Sequence, residues 1–240
     1  MVNNYSINVK NLIKFFDKSA IVRNISFTVK KKTIVGVLGK NGAGKTTLLG
    51  LLMGLITPTS GYIELLGKNL RFKKNEILKD INFQSPYVEL PKKMTVKQNL
   101  HFYSRLYNIK DIKDNIEELA LDLRIEDLLN KSYGALSAGQ KTKVNLCKAL
   151  INKPKVLLLD EPTASLDPET SIFIRNYLKK FKKKNNSSIL ITSHNLQEIE
   201  TMCSNIILLR AGKIVSKGRL KSVLEKNKYK TFIDFFLERG

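Results

Sequence analysis

From Gly39 to Thr46 the chain reads Gly-Lys-Asn-Gly-Ala-Gly-Lys-Thr, and this octapeptide restricts the fold more than any other segment. An apolar run, Ile34 to Leu38, precedes it, and Thr47-Leu48-Leu49 continues into an apolar helix. Gly39, four residues, then Gly44-Lys45-Thr46 is the P-loop spacing. Residue type explains the pattern. Glycines let the backbone bend until successive N–H groups point inward as a concave anion nest. A helix N-terminus adds its positive end. Lys45 offers a point charge to β- and γ-phosphates, and Thr46 a hydroxyl to Mg²⁺. Asn41, Gly42, Ala43 and Thr47 complete the lining. The competing explanation is a structural glycine turn after a strand. The order strand, loop, helix favours a nucleoside triphosphate site.

Composition narrows the setting. With 240 residues and 42% hydrophobic content, the chain can form one large domain or two small ones. Its longest apolar run, Leu48 to Ile56, contains two glycines and stops at Thr57-Pro58. That is far short of the roughly 20 residues a membrane-spanning helix requires. Met1-Val2-Asn3-Asn4-Tyr5 has neither a basic start nor an apolar block, so a cytosolic protein is expected. Cys147 and Cys203 lie far apart in apolar helical stretches and are expected to be two buried thiols. The net charge is +21, yet only eight of the 42 basic residues are arginine. Lysines come in short clusters, such as Lys30 to Lys32 and Lys182 to Lys184, with little aromatic interleaving. This fits a compositional bias toward lysine better than a nucleic-acid stripe, so no nucleic acid partner is expected. The alternative is attraction to an anionic membrane surface.

Periodicity predicts the elements. Strands are expected at Tyr5–Val9, Ile25–Val29, Ile34–Leu38, Tyr62–Leu65, Ile81–Phe83, Val156–Leu159, Ser188–Thr192, Ile206–Leu209 and Ile214-Val215. A helix is expected over Thr46–Gly54, and turns at Thr57–Gly61, Gly67–Asn69 and Ala211–Lys213. From Val88 to Lys153 the pattern becomes helical. Leu100, Tyr103, Leu106 and Tyr107 share one face, and Ile116, Leu119, Leu123 and Leu128 continue an amphipathic run. Helices are also expected from Ser137, over Pro168–Lys184 and over Asn195–Cys203. Strand and helix alternate, which argues for a parallel α/β sheet carrying a helical insertion.

Two further segments carry chemistry. Val156-Leu157-Leu158-Leu159 buries a strand that delivers Asp160 and Glu161 at its C-terminal end, where open α/β sheets bind ligands. Asp160 would hold Mg²⁺, and Glu161 would polarise an attacking water as general base. In Leu136-Ser137-Ala138-Gly139-Gln140, Ser137 fits a helix N-cap, and Gln140 three residues on completes a capping box. By itself this is an ordinary capped helix that could also face a phosphate.

Taken in order, the P-loop, Leu-Ser-x-Gly-Gln and apolar-Asp-Glu-Pro-Thr resemble the nucleotide-binding subunit of an ABC transporter, from Ile7 to the C-terminus. That resemblance implies an α/β fold: a P-loop NTPase (RecA-like) core, an N-terminal antiparallel β subdomain and an inserted α-helical subdomain. One ABC ATPase domain would span 1–240, with its core at about 1–84 and 155–218. The helical subdomain would be about 85–154, and a short helical tail 219–240. The resemblance implies ATP and Mg²⁺ as cofactors, with Phe16 stacking on adenine and Thr46, Gln84 and Asp160 around the metal. It implies that His194 contacts the γ-phosphate, and that Gln84 couples the site to a membrane partner. Asp167 closes a loop that crosses between protomers. Ser137, Gly139 and Gln140 would complete the ATP site of a second ABC ATPase subunit, expected to be a homodimer partner. A separate transmembrane permease would place the protein on the inner face of the cell membrane. Thr95–Leu100, Arg105–Tyr107 and the short end Thr231–Leu237 resemble the drug and ABC-2-type exporter branch. The alternative is a soluble, non-transport ABC ATPase of the cofactor-assembly type. Two features depart from the family pattern: Ala138 stands where glycine is usual, and the segment from Gln84 to Met94 is longer than typical.

Overall fold

The computed structural model describes residues 4–226 and 229–239. Met1-Val2-Asn3 and, within the expected tail, Asn227, Lys228 and Gly240 lie outside the described residues. Two strands, β1 (Tyr5–Phe16) and β2 (Ser19–Lys30), open the chain as an antiparallel hairpin. They run well beyond the expected Tyr5–Val9 and Ile25–Val29. Asn11 and Asn24, at φ +48° and +52°, sit where the register shifts, so irregular pairing absorbs the residues that break the alternation. Two further strands, β4 (Ser60–Leu65) and β5 (Lys68–Asn69), complete a four-stranded sheet with order β2-β1-β4-β5. Lys68-Asn69 is thus a short paired strand and not only part of a turn.

The second sheet holds β3 (Ile34–Leu38), β6 (Ile81–Gln84), β7 (Val156–Asp160), β8 (Ser188–Thr192), β9 (Asn205–Arg210) and β10 (Lys213–Arg219). Its order is β10-β9-β3-β8-β7-β6, parallel except for β10. Successive side chains on these strands face opposite cores. Val35, Val37, Leu158, Leu190 and Ile207 pack toward the antiparallel sheet and helix α1 (Lys45–Leu52). Ile34, Leu38, Leu157, Leu159, Ile191 and Leu208 pack toward the remaining helices. Burial on both faces explains why these strands read as continuous apolar runs.

After the short α2 (Lys74–Leu78), which periodicity did not predict, come α3 (Val96–Leu106), α4 (Ile112–Leu123) and α5 (Ala138–Leu150). The expected apolar face of α3 needs one correction: Leu106 is 61% exposed, while Leu100 is fully buried. The amphipathic run is also interrupted, because Arg124 turns left-handed at φ +54° and Leu128 lies in a separate 3₁₀ turn, Glu126–Leu128. The chain then forms α6 (Pro168–Asn185), α7 (Leu196–Met202), α8 (Leu220–Lys226) and α9 (Phe232–Arg239). Cys147 and Cys203 are free, buried thiols as expected.

Candidate functional site

Four neighbouring parallel strands end at one edge. Val37 of β3 pairs with Thr192 of β8, Thr192 with Asp160 of β7, and Leu159 of β7 with Gln84 of β6. The loops that follow these strands therefore share one rim of the sheet, where an open α/β fold gathers a ligand.

The P-loop leaves β3 and turns sharply into α1. A Cβ on Gly39 would stand 2.4 Å from the Leu209 carbonyl oxygen, so nothing larger than glycine fits there. Gly44 caps α1 at φ +101°, a left-handed geometry that a side chain would strain. The Lys45 ammonium donates to the carbonyls of Gly39 at 2.6 Å and Lys40 at 3.2 Å. Burial lowers its pKa, while the charges of Glu161 and Asp160 raise it. Asn41, Gly42 and Thr46 are exposed, Thr47 is half-buried, and Ala43 is buried, its carbonyl accepting from the Gly212 N–H at 3.2 Å.

Asp160 is 2% exposed and fully engaged. Thr192 Oγ1 donates to its Oδ1 at 2.5 Å, and Thr46 Oγ1 and Ser85 Oγ donate to Oδ2 at 3.2 and 3.3 Å. Gln84, at the end of β6, is buried, and its Oε1 has no hydrogen-bond partner among the described residues. A carboxylate, a threonine hydroxyl and an orphaned amide oxygen at one strand edge are hard oxygen donors of the kind Mg²⁺ prefers. Sequence reasoning missed Thr192 and Ser85. Neither has a motif of its own, and each is identified only by its contact with Asp160.

Glu161 follows at φ +48°, an uncommon conformation for a side-chain-bearing residue. Its N–H donates to Thr192 O at 3.0 Å. His194 Nδ1 lies 2.8 Å from Glu161 Oε2, and the His194 N–H donates to the same oxygen at 3.3 Å. No described hydrogen bond reaches Glu161 Oε1. The pair lines a cleft of about 460 Å³ together with Thr163, Ser193 and Arg175. A different cleft, of about 510 Å³ and lined by Leu51, Thr57 and Phe72, contains none of these residues.

No described hydrogen bond joins the other expected residues to this cluster. Ser137 caps α5 and accepts from the Gln140 N–H at 3.3 Å, while Gln140 Oε1 accepts from the Ser137 N–H at 3.0 Å. The Gln140 side chain is thus committed to its own helix start. Gly139 approaches Ser165: a Cβ there would stand 3.3 Å from the Ser165 carbonyl oxygen. Among the described residues, no hydrogen bond joins Ser137, Gly139 or Gln140 to the P-loop. Asp167 caps α6, accepting from the Thr170 N–H at 2.8 Å, which lowers its pKa. Phe16 ends β1, 44% exposed, with Lys14 Nζ 4.8 Å from its ring centroid.

Residues 22–164 match the sequence profile of the family described as "ABC transporter". The chain is 32% identical to the ABC transporter ATP-binding protein NatA of Bacillus subtilis, over 94% of each chain. It is 31% identical to the Nod factor export ATP-binding protein I of a Rhizobium species, covering 92% of this chain and 73% of that protein. A solved structure described as the ATP binding subunit of an ABC transporter superposes with a TM-score of 0.88 at 24% identity, over 97% of this chain and 98% of that one. That likeness shows the fold.

Proposed function

This chain belongs to the ABC transporter family, and we propose that two copies of it close around two ATP molecules and drive a separate permease in the export direction. The observation that carries this reading is the convergence of Thr46, Asp160, Ser85 and the Glu161–His194 pair at the ends of adjacent strands. Lys45 and the P-loop amides bind the phosphates, and Phe16 stacks on the base. Thr46, Asp160 and Gln84 would hold Mg²⁺, which would supply charge neutralisation to the phosphates. Glu161 accepts the proton of the attacking water at Oε1, the oxygen that His194 leaves free, and His194 keeps the carboxylate oriented.

A second copy supplies Ser137, Gly139 and Gln140 to each site, and Asp167 closes the loop that crosses between copies. Among the described residues no hydrogen bond joins the Ser137 loop to the P-loop within one chain, which fits this arrangement. So does the uncovered helix N-terminus at Ala138-Gly139, which suits a phosphate. We assign the core to about 1–84 and 155–218, and the partner-docking helical subdomain to about 85–154. We assign the tail to about 219–240, within which the described helices are α8 and α9. Among the described residues no helix is long and apolar enough to cross a membrane, so the chain would bind peripherally, at the cytoplasmic face of its permease. The name of the Nod factor export relative supports export.

Purified protein should hydrolyse ATP with Mg²⁺ and stop when EDTA removes it. Pulled down from native membranes with ATP, the Glu161→Gln variant should bring a multi-span membrane protein with it. Absence of hydrolysis would overturn the assignment. Hydrolysis with no membrane partner would favour a cofactor-assembly ATPase.

A further inference from the structure

Glu198, in the first turn of α7, is 1% exposed. An acidic residue at that position ordinarily points to water and favours the helix N-terminus from outside. This one points inward and bridges two loops. Thr163 Oγ1 donates to its Oε1 at 2.7 Å, and Ser193 Oγ donates to its Oε2 at 2.6 Å. Thr163 stands two residues after Glu161, and Ser193 one residue before His194. Glu161 and His194 meet at 2.8 Å, so the connections form a ring: Glu161, Thr163, Glu198, Ser193, His194 and back to Glu161.

We propose that Glu198 is the positioning residue of the Glu161–His194 pair, its carboxylate tying the loop after β7 to the loop after β8. The proposal rests on the catalytic reading of Glu161 and His194 given above. Two physical points support it. Hydrogen bonds from hydroxyls to a buried carboxylate are short and strong; the Thr163 bond reaches across 35 residues of sequence, while the Ser193 bond, five residues away, fixes the loop before α7. Glu161 also holds a left-handed backbone, which persists only where its surroundings over-determine it. Thr163, anchored by Glu198, provides that constraint on one side, and the Thr192 carbonyl on the other. Burial raises the Glu198 pKa, opposed by the hydrogen bonds from Ser193 and Thr163 and by the charge of Arg175, while Glu161 adds a further raising effect. Asn195 caps α7 through the Glu198 N–H, a backbone role that leaves the side chain for the bridge.

The test is a set of ATPase measurements at saturating Mg²⁺. Glu198→Ala should lower kcat on the order of 10- to 100-fold while KM for ATP stays within about 2-fold. Glu198→Gln retains one acceptor and can donate to the other hydroxyl, so it should recover most of the rate. Thr163→Val and Ser193→Ala each remove one arm, and each should lower kcat without moving KM. In a His194→Ala background, Glu198→Ala should cost no more than about 2-fold further, because residues acting as one unit are not additive. Full multiplicative loss in that background, or parental kcat in Glu198→Ala, overturns the proposal. If Glu198→Ala does not fold, the two hydroxyl variants decide it by the same kcat criterion. Should Glu161→Gln itself retain parental turnover, the catalytic reading fails. Loss in Glu161→Gln with none in the Glu198 set removes the positioning role alone.

Discussion

Lys45 meets two opposing demands. Burial disfavours its charge, whereas the phosphate-binding role proposed for it needs the ammonium charged. Asp160 and Glu161 reconcile the two by favouring the ammonium. Lys45→Ala is expected to weaken ATP binding at least 10-fold, measured by calorimetry, because a charge-assisted contact contributes about 1.5–3 kcal/mol. Unchanged affinity would remove the P-loop from the account. Lys148 presents the opposite case: burial lowers its pKa to about 8 with no opposing charge, although Phe83 O accepts from it at 3.2 Å. In the unfolded chain it stays charged to its usual range, so between about pH 8 and 10 the unfolded state holds more protons and stability rises with pH. Denaturant titrations should therefore show the parent gaining on Lys148→Met as pH climbs through that window. An unchanged difference would contradict the lowered pKa. What the sequence reveals at this scale is contiguous chemistry: Lys45, Asp160 and Glu161 sit in local motifs whose spacing carries their meaning. Ser85, Thr192 and Glu198 have no such spacing. Their roles arise from contacts such as Thr192 to Asp160, 32 residues away, and only the folded sheet creates them.

Elements were legible where burial is two-sided and obscure where it is irregular. Strands β3, β7 and β8 match their apolar runs because both faces are covered. The hairpin β1–β2 was seen only in part, since its register shifts break the alternation that periodicity needs. Leu106 illustrates the converse error: helical spacing places it on the apolar face of α3, but it lies exposed at the last turn of the helix. The Ser137 capping box is local and therefore legible in the sequence, and the structure adds a second one. Thr95 caps α3 by accepting from the Gln98 N–H at 3.1 Å, while Gln98 Oε1 accepts from the Thr95 N–H at 2.8 Å. Thr95→Ala should cost about 1 kcal/mol in urea unfolding; a change below a few tenths would show the cap to be redundant. Gly36, inside β3, admits α7 closely: a Cβ would stand 2.8 Å from Ile199 Cδ1 and 3.1 Å from Cys203 Sγ. Gly36→Val should destabilise by about 1–3 kcal/mol through overpacking, read as a lower denaturation midpoint.

At the scale of the whole molecule, one mixed sheet separates two cores. Its proposed catalytic rim carries the P-loop, the Asp160 and Glu161 carboxylates and His194, while the helix N-terminus at Ser137 belongs to α5. Under the proposed function, a nucleotide touching both would bring two copies together, and its hydrolysis would release them. ATP would then act by binding the closed pair better than the open chains, a population shift driven by differential affinity. Blocking hydrolysis while sparing binding should trap the closed state. The most direct measurement is the mass of Glu161→Gln by light scattering, with and without ATP and Mg²⁺. With ATP it should be twice the 27.3 kDa of one chain, returning to 27.3 kDa when Ser137→Arg is added. A Glu161→Gln protein that binds ATP yet stays at 27.3 kDa would contradict the account.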